Sequence, residues 1–68
     1  MNILFTIYTN NTSWNATIHQ LNSDVLYRHV MHSGNLSNSS IHFTYDELEK
    51  SGKILDQNEH NIGQFSLQ

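Results

Sequence analysis

The constraint that bears hardest on this chain is that its 68 residues include no cysteine. A domain this small buries only about 60% of the surface its unfolded chain exposes. Disulfides, metals or a partner surface commonly make up the deficit. Without a thiol, disulfides and thiolate metal centres are excluded. Support has to come from an apolar core, from a second copy, or from a partner. One small domain spanning residues 1–68 is the expectation.

The apolar material for such a core is present. Hydrophobic residues make up 37% of the chain, and Trp14 stands beside three Phe and three Tyr. That is too much apolar mass for a disordered composition. Charge is sparse: six acids face only Arg28, Lys50 and Lys53, for a net charge of −3. A nucleic-acid binder draws its affinity from a basic stripe. Three scattered cations form none, so direct DNA or RNA binding is not expected. No apolar run approaches the roughly 20 residues of a membrane span, so no membrane partner is expected either. The start, MNILFTIYTNN, lacks a basic flank and alternates polar with apolar residues, unlike a signal peptide. The reading is a free-standing chain that begins at Met1 and works in the cytoplasm of a bacterial host.

Glycosylation acceptor patterns occur at Asn10, Asn11, Asn15, Asn35 and Asn38. Without a secretory signal they meet no glycosylating enzyme, and an Asn-, Ser- and Thr-rich composition accounts for them. Asn10 and Asn11 read instead as turn residues between two strands. The first strand is ILFTIYT, residues 3–9, with Ile3, Phe5 and Ile7 on one face. The second is WNATIHQ, residues 14–20, with Trp14, Ala16 and Ile18 on one face and Asn15 pointing outward.

Within residues 24–33, Val25, Leu26, His29 and Val30 form a stripe at helical spacing. Ser23 is placed to cap and Gly34 to terminate, so helix is preferred over a strand with Val25, Tyr27, His29 and Met31 on one face. GNLSNSS, residues 34–40, reads as a polar loop and IHFTY, residues 41–45, as a strand. TYDELEKSG has capping-box spacing from Thr44 to Glu47 and reads as a second, short helix. KILDQ follows as an apolar patch, and IGQFSLQ closes the chain as a strand. The expected fold is α+β: an antiparallel sheet of three to four strands with one main helix packed on one face, in the order β-β-α-β-α-β. The expected core comprises Phe5, Ile7, Trp14, Ile18, Leu26, Val30, Ile41, Phe43, Leu48 and Phe65.

No motif in the chain carries recognisable chemistry. His29 and His32 share a helix face, and His19 and His42 would meet if their strands were neighbours. Zinc needs three or four converging ligands, and there is neither HExxH nor a Cys partner. No metal site and no cofactor are expected. His42 with Asp46, or Ser33 before Gly34, belongs to no nucleophile motif. So small a chain rarely shapes a substrate cavity, and no enzyme activity is expected.

The acidic segment is more suggestive. Asp46, Glu47 and Glu49 fall within four residues, and Asp56 and Glu59 follow. With Tyr45, an amphipathic aromatic of the kind enriched at interfaces, they form the expected partner-binding set. Charge complementarity would select a basic surface and speed association. Capping of a helix N-terminus by the same acids is the competing explanation. The uncharged strand 3–9 lacks the Lys, Pro or bulges that defend sheet edges. It is expected either to lie centrally or to pair with a second copy in a homodimer.

These features lead to a non-enzymatic protein-binding module. Small, acidic, cysteine-free chains share the general character of phage or mobile-element proteins that inhibit host complexes, anti-CRISPR proteins among them. The expected partner is a host protein or nucleoprotein complex whose basic surface is occluded. A small homodimeric regulator is the second reading, and a His-dependent metal module the third.

Overall fold

The computed structural model describes residues 1–36 and 40–68. The expected loop at 34–40 and the acceptor patterns at Asn35 and Asn38 reach into residues 37–39, outside the described residues. Five strands and one helix follow in the order β1 (Asn2–Ile7), β2 (Thr12–Thr17), α1 (Ser23–Ser33), β3 (Ile41–Phe43), β4 (Ser51–Asp56) and β5 (Asn61–Leu67). All the strands form one sheet in the order β2-β1-β5-β4-β3, and every neighbouring pair is antiparallel. The chain leaves the sheet at one edge after β2, passes through α1, and re-enters as β3 at the other edge.

The protein is therefore mostly β, with a five-stranded antiparallel sheet and one short helix. It is not the expected α+β arrangement of three to four strands under a main helix. The second helix is the source of the difference. Asp46 bridges to Ser51, so residues 47–50 form a hairpin loop and Ser51–Asp56 runs on as a strand. The Thr44 hydroxyl caps no helix; it accepts a hydrogen bond from the Lys53 backbone N–H at 3.2 Å. Gly52 terminates nothing. It lies inside β4 opposite Phe65, where a Cβ would collide with the Thr44 carbonyl and the Phe65 ring.

The hairpin loops share one device. Asn11 closes the β1–β2 loop with φ 54°, and Lys50 closes the β3–β4 loop with φ 52°. Asn tolerates that left-handed conformation, whereas a Lys there is strained. The Asn10 amide donates to the Gly34 carbonyl at 2.8 Å, which ties the first loop to the end of α1. Asn22, not Ser23, caps α1: its side-chain oxygen accepts from the Val25 N–H at 2.9 Å. At the other end the Gly34 N–H donates to the Val30 carbonyl.

Period-2 alternation places Ile3, Phe5 and Ile7 on the inner face of β1, all fully buried. They join Ile18, Leu26, Val30, Ile54 and Phe65 in one core. A row of aromatic rings crosses the sheet. Trp14 stacks on Phe5 at 5.0 Å, Phe5 meets Phe65 at 6.3 Å, and Phe65 meets Phe43 and Tyr45, each at 6.1 Å. Gly52 leaves the space in β4 that this row needs. Of the expected core, Trp14, Ile41 and Phe43 are half-buried and Leu48 is 95% exposed. β1 has β2 on one side and β5 on the other, so its backbone is paired on both edges within the chain. The central position accounts for its lack of charge.

Candidate protein-docking loop

The loop between β3 and β4 is fixed by its first acid. The Asp46 carboxylate accepts from the backbone N–H of Leu48 at 2.9 Å and of Glu49 at 3.4 Å. This is the Asx-turn chemistry that favours Asp at the start of turns. Asp46 also exchanges backbone hydrogen bonds with Ser51. The short closed loop leaves Glu47, Leu48 and Glu49 on the surface. An apolar side chain thus stands at the tip between two carboxylates.

Asp56 does comparable work at the other end of β4. One carboxylate oxygen accepts from the N–H groups of Asn58 and His60, each at 2.9 Å. The other lies 3.3 Å from His60 Nδ1. The backbone N–H of His60 holds the Asp56 carboxyl below the ordinary aspartate range; partial burial opposes this, and the Asn58 N–H and the imidazole add to it. Glu59 sits in the same turn with φ 63°, its side chain exposed.

The six residues expected to bind a partner therefore separate into two roles. Asp46 and Asp56 organise turns. Glu47, Glu49 and Glu59 are exposed and contribute charge. Tyr45 is 40% exposed and stacks on Phe65, so one face serves the core and the rest is available. Tyr45, Asp46, Glu49 and Glu59 line one shallow groove along β4 with Lys53 between them; Glu47 and Asp56 lie outside it. The acids do not form a single cluster, because β4 separates the two turns by its own length.

The charge distribution is uneven. Asp24 and Arg28 pair at 3.0 Å on α1. Every other Asp, Glu, Lys or Arg falls within residues 46–59, where five acids stand against Lys50 and Lys53. The whole net charge of −3 thus resides on the β3–β4 side of the sheet.

Leu48 is the residue that sequence reasoning misplaced. A signal was available: three and four positions after it come Ser51 and Gly52, neither an apolar helical partner. The histidines do not converge. His19 follows β2 and His42 lies in β3, at opposite edges of the sheet, while His29 stacks on Phe5 at 6.0 Å. Among the described residues no three His, Asp or Glu side chains are placed to hold a metal ion, and no helix is long and apolar enough to cross a membrane. No protein-family model, curated protein or solved structure matches this chain.

Proposed function

We propose that the protein is a non-enzymatic binding module that docks the β3–β4 loop onto a basic protein surface. The observation that carries this reading is Leu48, 95% exposed at the tip of a loop closed by Asp46 and flanked by Glu47 and Glu49. A Leu so exposed adds almost nothing to folding. Burying it against a partner would contribute about 1.5–3 kcal/mol. The surrounding acids would steer the loop to basic surfaces and disfavour acidic ones. Because Asp46 already orders the loop, little conformational entropy is lost on docking. Occlusion of a basic surface on a host protein or nucleoprotein complex would make the module an inhibitor of the kind anticipated from its size and charge.

The test is capture from nuclease-treated bacterial lysate by the tagged protein, in parallel with Leu48→Ala and with the pair Glu47→Lys and Glu49→Lys. Asp46 is left intact because its loss would disorder the loop itself. The expected result is one dominant complex that survives nuclease, is released by high salt, and is lost with either variant. Capture that both variants leave unchanged would exclude the loop as the docking element.

A further inference from the structure

The two edges of the sheet are built differently. β3 has three residues and leads directly into the acidic loop. β2 has six, TSWNAT, with no charge, proline or bulge. Residues 1–23 contain no Asp, Glu, Lys or Arg. Charges, prolines and bulges are the usual means of keeping a free edge from pairing with another strand, and β2 has none of them.

The register shows which groups that edge presents. Met1 and Ile18 exchange both backbone hydrogen bonds, at 2.8 and 2.9 Å. Bonded and non-bonded pairs alternate along an antiparallel ladder. Ala16, Trp14 and Thr12 therefore turn their backbone groups toward β1, opposite Ile3, Phe5 and Ile7. Ser13, Asn15 and Thr17 turn theirs to the free edge. Each brings one donor and one acceptor, and Asn15 is the middle of the three.

We propose that β2 pairs with β2 of a second copy, antiparallel and centred on Asn15, joining two five-stranded sheets into one. In this register Asn15 faces Asn15 of the second copy, and Ser13 faces Thr17. All three outward residues are then satisfied on both chains; centring on Ser13 or Thr17 leaves some unpaired. The intervening pair sets Trp14 against Ala16 of the second copy. This is a non-bonded pair, where side chains approach most closely, so the largest side chain of the strand meets the smallest. Trp14 is half-buried in the single chain, and its indole Nε1 is a buried polar atom without a hydrogen-bond partner. Charge also selects this surface for a second copy. Approach through the β3–β4 side brings together the two net charges of −3, whereas β2 meets β2 with no formal charge on either strand.

Analytical ultracentrifugation of the full chain tests the proposal across roughly micromolar to submillimolar concentrations, the range over which weak edge pairing is populated. The expected mass is twice the 7.9 kDa of the chain. Asn15→Lys and Asn15→Asp each set like charges directly opposite each other and are expected to weaken association up to about fivefold. An equimolar mixture of those two variants restores the dimer, since opposite charges then face across the axis. Gln64→Lys, exposed on the inner strand β5, leaves association unchanged. Circular dichroism establishes that each variant is folded, and Thr17→Lys serves if Asn15 is needed for folding. A 7.9 kDa species at every concentration, a dimer indifferent to charge at Asn15 and Thr17, or a mixture that stays monomeric would each overturn it. None of these outcomes bears on the β3–β4 loop.

Discussion

Truncation of Leu48 separates the observed fold from a helical reading of residues 44–52 more sharply than any other single change. Full burial of a Leu side chain is worth about 1.5–3 kcal/mol. At 95% exposure only about a twentieth of that is realised, so Leu48→Ala should cost roughly 0.1 kcal/mol. Ile54, six residues on, is fully buried. It packs so closely over β5 that its Cδ1 lies 3.2 Å from where a Gly63 Cβ would stand. Ile54→Ala leaves a cavity that a neighbouring backbone cannot fill, at a cost of about 2–5 kcal/mol. A 68-residue domain has a total stability of about 3–10 kcal/mol. The two truncations thus differ by a large share of everything that holds the chain folded. Urea unfolding followed by the emission of Trp14, the lone tryptophan, reads both, because the indole stacks on Phe5 in the core. The expectation is an unchanged midpoint for Leu48→Ala and a partly or wholly unfolded Ile54→Ala. A loss above about 1 kcal/mol at Leu48, or roughly 4–8 °C in Tm, would refute the hairpin placement and restore a packed helix.

Other consequences follow from the turns and caps. Lys50→Gly relieves a left-handed φ of 52° and should raise stability by up to about 1 kcal/mol, seen as a higher Tm. Gly52→Ala sets a Cβ against the Thr44 carbonyl and the Phe65 ring; β3 should detach from β4, read as loss of amide exchange protection at Thr44 and Asp46. Asn22→Ala removes the α1 cap and should cost about 1 kcal/mol in a urea titration. Asp56 titrates lower in the folded than in the unfolded chain, so its stabilising contribution is present above its ordinary value of 3.8 and is lost as pH falls below it toward the folded value. Asp56→Asn should flatten that acid limb, and an unaltered acid limb would show that the carboxylate is not the group responsible.

The legible parts of this chain were those written in local periodicity. Ile3, Phe5 and Ile7 alternate with polar or less buried neighbours, and the burial of β1 alternates with them. Leu26 and Val30 share a helix stripe and are the buried residues of α1. The segment 44–52 was not legible, for a specific reason. An Asp that accepts from the N–H groups two and three residues on, followed by further acids, is what a helix start and a tight hairpin loop have in common. The outcome was decided by long-range partners: Phe65 needed the space at Gly52, and β5 offered an inner position to Ser51–Asp56. The same applies to the acids. The short Asp side chain suits Asp46 and Asp56 to hold turns and leaves Glu47, Glu49 and Glu59 to contribute charge, but where those turns fall was set by the strand pairing.

Pairing between β1 and β5 joins the two ends of the chain, and its consequences for function are larger than its share of the structure. It places the neutral hairpin β1–β2 on one side of the sheet and the charged hairpin β3–β4 on the other. An uncharged β1 would be an adhesive edge; enclosed between β2 and β5 it is a core strand, and the exposure passes to β2. The acids cannot be moved to β2 to defend that edge without placing like charges beside a second copy, nor can the charge-free hairpin carry selectivity for a basic partner. The proposed self-association and the proposed partner docking would therefore use chemically opposite surfaces at opposite edges. If β2 pairs with β2, the two β3–β4 loops lie at the far margins of the joined sheet, roughly 40 Å apart at the usual strand spacing. The dimer then presents two acidic loops to a target without covering either one.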